Sequence, residues 1–475
     1  MLLICNLALV LCESPGHFYP GNLIAGEWGN QMTTLTSNIS VTLDGSTPFK
    51  VGVDPYDWGK NWLLYVDTWV EDSLPVRTAT YTLEGSGWNI DMFRFTGQVK
   101  AVIKDNTDGT GGSVGFLALG ALNGAGSSVA TFNRTYVDVV KGSGNVETLT
   151  LGAAGAGQIE LGGGNDSVKT GTGYVDYISV GHGANKVTIG SGGAGVVRAG
   201  EDRDIIKIGS GAEIDSIDAG RGNDSITTSS GWIGTISGGR GKDTISLGSG
   251  GADAVFGGRD ADTVTLRKLA EADQFVIVDG GSGVSTGADR NSDTLIMSSF
   301  TRKLDIDLGI SDVVDTGNGI FLVRNFEHVS GGSKNDVLTG SSASNTLRGN
   351  SGNDTITGMK GADALYGGKG RDVFVFESIA DSKPGSSGRD TIFDFSKSQR
   401  DKLDLSAIDA NTKKSGDQAF EFVGSKKFSG DPGELRVSKS KSDTYVYADV
   451  NGDKKADFGI HLDDALSLSK GDFIL

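Results

Sequence analysis

Apolar and polar positions recur together along the middle of the chain. Leu149, Val168, Val187, Ile206, Ile226, Ile245 and Val264 are spaced by 19 residues, with one step of 20. Two positions before each stands an acid or amide: Glu147, Asp166, Asn185, Asp204, Asp224, Asp243 and Asp262. A second set interleaves with the first. Val140, Ile159, Ile178, Val197, Ile217, Ile236 and Val255 follow Asp138, Gly157, Asp176, Gly195, Asp215, Gly234 and Asp253 by two residues. Every one of these marked positions is apolar in a chain that is only 37% hydrophobic. A fixed period of this length is the mark of stacked repeats. Each repeat supplies two short extended segments that bury one side chain each, which predicts a parallel β-solenoid of about seven coils.

A tighter period of nine follows. From Gly331 to Phe376 the sixth position of each unit is Asp336, Asn345, Asp354, Asp363 and Asp372, and the eighth is Leu338, Leu347, Ile356, Leu365 and Phe374. Glycine opens the units, with Gly331, Gly349, Gly358 and Gly367 in the better-formed ones, where the backbone must turn sharply. Two units make one coil, so residue i stacks on residue i+18 and carboxylates meet across coils. Stacked carboxylates repel unless a hard cation lies between them, and Ca²⁺ accepts six to eight oxygens from carboxylates and loop carbonyls. The count continues through Asp381 and Asp390, with Ile392 apolar, so the last coil is expected to close on those two acids.

The same logic makes Asp166, Asp204, Asp224, Asp243 and Asp262 candidate ligands in the earlier array, above all in the loops 220–224 and 238–243. Lys242 and the arginines beside these loops also offset negative charge without any metal. The second register alternates Asp with Gly, so Asp253 is a weaker candidate. Asp449, Asn451, Asp453 and Asp457 are spaced like part of a looped calcium site. That stretch lacks the position-six glycine and the closing glutamate, so a polar hairpin turn is the other reading.

Composition narrows the function classes. The chain has 475 residues, 74 glycines, 7 prolines and a net charge of −17, which disfavours nucleic acid and favours divalent cations. Cys5 and Cys12 are the only cysteines, so no disulfide framework supports the fold. The apolar run 1–12 is too short to span a bilayer, and no basic residue precedes Lys50 as a secretory signal requires. A first strand and a cleaved signal both remain readings of it. Residues 1–128 hold five of the six tryptophans and predict a small antiparallel β domain. Acids lie beside aromatics at Asp54, Tyr56, Asp57 and Trp58 and at Trp69, Glu71 and Asp72, a composition suited either to core packing or to sugar binding. The expected order is this β domain at 1–128, the 19-residue solenoid at 129–270, a connecting β segment at 271–330, the nonapeptide roll at 331–376 and a β cap at 377–475. The fold class is all-β.

Residues 331–475 carry further linked motifs: Asp372-Val373-Phe374-Val375-Phe376, Asp390-Thr391-Ile392-Phe393-Asp394-Phe395 and Asp401-Lys402-Leu403-Asp404-Leu405-Ser406. Farther on stand Gly433-Glu434-Leu435-Arg436, Asp449-Val450-Asn451-Gly452-Asp453 and Asp472-Phe473-Ile474-Leu475. This stretch resembles the carboxy-terminal region of serralysin-type secreted proteins of the RTX (hemolysin-type) class. The resemblance implies a parallel β-roll, several bound calcium ions, and export to the extracellular space by a type I (ABC) secretion apparatus. It also implies an uncleaved carboxy-terminal address, to which Asp472–Leu475 is similar. The protease half of that family does not carry over. His17, His182, His328 and His461 include no His-Glu-x-x-His pair, and no nucleophile triad stands out. The favoured expectation is a non-enzymatic secreted calcium-binding protein, an adhesin, matrix or surface-associated component. The alternative is a secreted enzyme acting on extracellular polysaccharide, with its carboxylates in the first 128 residues or along the solenoid groove. Partners expected are calcium, the secretion apparatus, and polysaccharide or a cell surface.

Overall fold

The computed structural model describes residues 31–281 and 292–475, apart from the segments 37–38, 44–49, 55–60, 68–76, 84–88, 97–98, 106–111 and 120–126. Its side chains are described for 80–83, 90, 102–105, 112–119, 127–281 and 292–475. The described chain is all β apart from one short 3₁₀ turn, Lys470–Asp472. No helix among these residues is long and apolar enough to cross a membrane.

One wall runs almost the whole length of the solenoid. In it Leu149, Val168, Val187, Ile206, Ile226, Ile245 and Val264 stack in parallel register. The column continues through Leu295, Val329, Leu347, Leu365, Ile392 and Leu462. All thirteen are buried. The opposite, early wall stacks Val140, Ile159, Ile178, Val197, Ile217, Ile236 and Val255, then Val278 and Val323. The core is therefore two facing ladders of branched aliphatics. Each fully buried side chain stabilises the fold by roughly 1.5–3 kcal/mol, and each coil touches only its neighbours.

The segment 271–330 changes partner rather than breaking the solenoid. Phe275–Gly281 and Ile320–Arg324 extend the early wall, which ends with the antiparallel strand Asp312–Asp315. A late wall begins at Asp305–Asp307 and stacks Ile306, Leu338, Ile356, Phe374, Leu403 and Phe473. The continuous wall passes through this exchange with its column intact. Insertions between strands lengthen the coils here, which is why the period seems lost in the sequence.

At the amino end, antiparallel pairing joins Gln31–Thr36 to Ile39–Leu43, Ile39–Leu43 to Arg77–Leu83, and Lys50–Asp54 to Asn61–Asp67. From Asn61–Asp67 and Arg77–Leu83 onward the ladders are parallel. The expected antiparallel character is thus confined to the first five strands, and parallel coils start well before residue 129. Ile90 pairs with Val114 and Val114 with Val137, steps of 24 and 23 residues instead of 19. Such uneven coils leave no fixed period to read. The acid and aromatic groups at 56–58 and 69–72, and the run 1–12, lie outside the described residues.

At the carboxy end Glu434–Lys439, Thr444–Asp449 and Phe458–Leu462 form an antiparallel meander. Its last strand joins the continuous wall beside Thr391–Ile392, and Phe473–Ile474 adds the final strand of the late wall. This cap covers the open end of both ladders.

Candidate metal centre

The polar residue two places before each column residue from Leu149 to Leu295, and before Leu347, Leu365 and Ile392, is almost wholly buried, and Glu327 is half-buried. Each one is tied to the next coil by a single repeated bond. The backbone N–H of Glu147 donates to Asp166 Oδ1 at 2.7 Å, Asp166 to Asn185 Oδ1 at 2.8 Å, and Asn185 to Asp204 Oδ1 at 2.7 Å. The chain of bonds continues through Asp224, Asp243, Asp262 and Asp293, and Asp293 N–H donates to Glu327 Oε2. It resumes from Asn345 to Asp363 and from Asp363 to Asp390. A second ladder follows the late wall from Asp336 to Asp354, Asp372 and Asp401. The expectation that stacked acids meet across coils has a specific form here: one oxygen is spent on the neighbouring backbone.

The second oxygen has no hydrogen-bond partner at Asp166, Asp204, Asp224, Asp243, Asp262, Asp354, Asp363, Asp372 and Asp390. A buried, unpartnered carboxylate oxygen is costly unless a proton or cation meets it. Burial is the first cause pushing these carboxyls up, to about 7 at Asp204, Asp243, Asp354 and Asp363 and to about 6 at Asp224 and Asp372. Asp390, the most enclosed, is pushed to about 9, with the Asp363 charge adding to burial. Asp336 is also raised by burial, although its Oδ2 accepts from Gly332 N–H at 2.6 Å. The glycine opening each loop leaves room for the free oxygen. A methyl group at Gly358 would lie 2.6 Å from Asp363 Oδ2, and one at Gly331 2.7 Å from Asp336 Oδ2. At Gly349 and Gly367 it would overlap Asp354 and Asp372 outright.

The amide positions are an internal control. Asn345 Nδ2 donates to Glu327 O at 2.8 Å, and Asn185 Nδ2 donates to Gly181 O at 3.3 Å. Where asparagine stands, the side chain brings its own hydrogens to the loop oxygens. Where aspartate stands, the same place holds an oxygen facing oxygens. That donor set, carboxylates plus carbonyls with no nitrogen or sulfur, fits a hard cation.

Other expected residues fall differently. Asp390 lies on a ladder, but one place from where the count put it: it accepts from Asp363, the partner expected for Asp381, and not from Asp372. The late wall continues instead at Asp401, 29 residues after Asp372, because an inserted turn fills the interval. Asp381 Oδ2 accepts from the N–H groups of Glu377 and Ser378, yet its charge still acts on Asp363 and Asp390. Asp253 sits exposed in mid-strand on the outer face of the early wall, away from the buried ladder. Asp449 is buried and accepts from Gly452 and Lys454 N–H, while Asp457 accepts from Val450 N–H and Asn451 Nδ2. Asp453 accepts from Lys455 N–H. The loop 449–457 thus bonds its own polar groups across the turn between two strands. Sequence reasoning missed Asp293, Glu327 and Asp401 as ladder members. An acid two places before an apolar strand centre was the available signal.

Comparison with known proteins agrees with this geometry. A family model described as peptidase M10 serralysin C terminal matches residues 285–475. The RTX calcium-binding nonapeptide repeat model, four copies long, matches 209–232 and 234–264. The chain carries RTX calcium-binding repeats and a serralysin C-terminal domain. Calcium is accordingly its cofactor, and the repeat match falls on the coils that hold Asp224, Asp243 and Asp262. Metallopeptidase AprA of Pseudomonas marginalis is 42% identical over 191 residues, 39% of this chain. Serralysin of Photorhabdus laumondii is 47% identical over 148 residues, 30% of this chain. The chain spans only 36% and 29% of the lengths of these two relatives. Among solved structures, the AlgE6R3 subunit of the Azotobacter vinelandii mannuronan C5-epimerase is similar at 26% identity. That alignment covers 31% of this chain and 76% of that one, with a TM-score of 0.23.

Proposed function

We propose that this is a secreted protein whose solenoid folds on calcium outside the cell and then serves as a non-enzymatic binding scaffold, in the manner of an adhesin or matrix component. The observation that carries the reading is the ladder of buried carboxylates, nine of which have one oxygen bonded to the preceding coil and one left without a donor. The proposed ligands are Asp166, Asp204, Asp224, Asp243 and Asp262 in the early array and Asp336, Asp354, Asp363, Asp372, Asp381 and Asp390 in the late one. Asp293 and Asp401 join them, with carbonyls of the glycine loops completing each shell. Calcium, when bound, supplies the positive charge that the free oxygens lack.

Mass action then sets the switch. Where calcium is scarce, the acids oppose stacking and the chain stays loose enough to thread a narrow exporter. In millimolar calcium, extracellular modules with Kd of about 10⁻⁴–10⁻³ M saturate. Each site adds RT ln(1 + [L]/Kd) to stability, so many weak sites fold the chain together. Export by a type I apparatus and an extracellular location follow the habit of RTX and serralysin-type proteins. Far-UV circular dichroism of the full chain, titrated with calcium and then with chelator, tests this. A steep, reversible gain of β signal is expected; full β signal at saturating chelator would overturn it. The rival, a secreted enzyme acting on polysaccharide, is favoured by one feature, a long groove on the early wall. Release of shortened or modified glycan on incubation would decide for it.

A further inference from the structure

The groove encloses about 1230 Å³ and runs along the solenoid axis on the outer face of the early wall. Its floor is a column of glycines, Gly200, Gly220, Gly239 and Gly258, all at positive φ. A Cβ on any of them would strike the carbonyl of the coil before, so the floor is bare backbone for a structural reason. Along one side stand Arg221, Arg240 and Arg259 on successive coils, paired in register. Along the other side Arg198, Asp218, Ser237, Phe256 and Asp279 occupy a second column. Ser311 and Asn325 line one end.

The arginine column has no adequate structural explanation. Like charges on adjacent paired strands destabilise a sheet, and these lie about 4.8 Å apart. Arg221 is 3.5 Å from Glu201, whereas Arg240 and Arg259 form no salt bridge among the described residues. Nor do they neutralise the buried ladder: Asp224, Asp243 and Asp262 are governed by burial, backbone bonds and other acids, with no arginine lowering them. A chain of net charge −17 thus places five arginines against three acids, Glu201, Asp218 and Asp279, in one trough.

We propose that this groove binds a linear, carboxylate-bearing polysaccharide laid along the solenoid axis, its acid groups on Arg221, Arg240 and Arg259 and its hydroxyls on Asp218 and Ser237. Guanidinium forks match carboxylates in a bidentate way, and the column offers them along the axis at intervals of about 4.8 Å. The glycine floor admits a pyranose ring, and Tyr177 and Phe256 offer apolar faces to its C–H surface. A phosphate backbone would meet the same arginines, so a nucleic-acid strand is the rival occupant that the test separates. This assignment rests on the reading of the protein as an extracellular binding scaffold.

The test uses the full chain in millimolar calcium, with hexagalacturonate, maltohexaose and a single-stranded oligodeoxynucleotide as probes in isothermal titration calorimetry. Saturable hexagalacturonate binding that weakens with salt is expected, with the neutral sugar and the oligonucleotide each at least about ten-fold weaker. The double variant Arg240→Ala, Arg259→Ala should lose at least about ten-fold in affinity, while Lys207→Ala, on the opposite wall, should not. Hexagalacturonate binding unchanged in the double variant, or matched by the oligonucleotide, would overturn the assignment. Circular dichroism on the same samples separates the two readings. A folded chain that fails to bind overturns the groove assignment alone, and a chain that binds but shows no calcium transition overturns the calcium reading alone.

Discussion

Replacing Asp354 by asparagine should reverse sign with calcium, and that reversal is the sharpest consequence of the ladder. Asp354 is fully buried; its Oδ1 accepts from Asp336 N–H at 2.7 Å and its Oδ2 has no partner. Burial, then the charges of Asp336 and Asp372, raise its carboxyl from 3.8 to about 7, against the lowering effect of the Asp336 bond. At pH 8 without calcium, holding it ionised in place costs about 4 kcal/mol at 1.36 kcal/mol per unit. Asparagine is neutral, keeps the Oδ1 acceptor, and brings an amide that donates as Asn345 does to Glu327 O. Asp354→Asn should therefore stabilise the calcium-free chain by roughly 2–4 kcal/mol. In calcium it should weaken binding and raise the calcium midpoint, because one charged ligand is gone. Asp354→Ala loses the acceptor as well and strands the Asp336 N–H, at about 1–3 kcal/mol in either condition. Urea unfolding followed by circular dichroism, at pH 8 in chelator and again in millimolar calcium, measures both arms. If wild type has no structure in chelator, the readout is the β signal that asparagine restores. An asparagine variant as unstable in chelator as the alanine variant, or one with an unchanged calcium midpoint, would refute the reasoning.

Three further outcomes are expected. The calcium-free chain should be more structured in mild acid than at pH 8, the reverse of ordinary acid denaturation. Asp243, Asp354, Asp363 and Asp372 have folded values of about 6–7 against 3.8. Their stabilisation is complete below about pH 4 and is lost as pH rises through about 6–7, so circular dichroism across that range in chelator should fall while the calcium-loaded signal stays flat. Gly349→Ala, whose methyl would overlap Asp354 Oδ2, should cost about 1–3 kcal/mol and lower calcium affinity, whereas Gly385→Ala, with open space around it, should leave the calcium titration unchanged. Phe473→Ala removes a buried ring that closes the late wall over Leu403 and packs 5.2 Å from Phe422; a loss of about 3 kcal/mol in urea unfolding is expected.

The two aliphatic ladders were legible because coil length stays at 19 residues from 138 to 266 but for one step of 20, so register in space follows spacing in sequence. Where coil length varies, the same physics leaves no periodic trace. Ile90, Val114 and Val137 stack as faithfully as Ile226 and Ile245, yet steps of 24 and 23 read as irregular strands. Insertions hid Asp293, Glu327 and Asp401 for the same reason, and nine-counting put Asp381 where Asp390 stands, above Asp363, and Asp390 where Asp401 stands, above Asp372. The acids were visible as a class, but their two unlike oxygens were not. Only the coordinates distinguish Asp354, with one free oxygen, from Asp449, whose oxygens are spent on its own turn. The arginines were read as offsetting charge. Their place is the outer face, over a glycine floor, and no arginine lowers Asp224, Asp243 or Asp262.

The ladder also explains why calcium should act on the whole solenoid rather than on isolated loops. Each aspartate accepts from the coil before it through Oδ1, while its own N–H donates to the coil after it. A carboxylate that swings away to relieve repulsion therefore breaks a bond in one neighbour and shifts the donor of the other. In a stack where each coil touches only its neighbours, stability is a sum of coil and interface terms. On the calcium reading proposed above, the cation acts on the interface term, at the interfaces where it meets the unpartnered carboxylate oxygens. Asn185 and Asn345 mark interfaces held without charge. Such coils can stack before calcium arrives and give the charged coils on either side a template, which makes folding start within the array rather than only at its ends. Converting Asn345 to aspartate should then do more harm than one added charge implies, since it removes an uncharged seam within the late array.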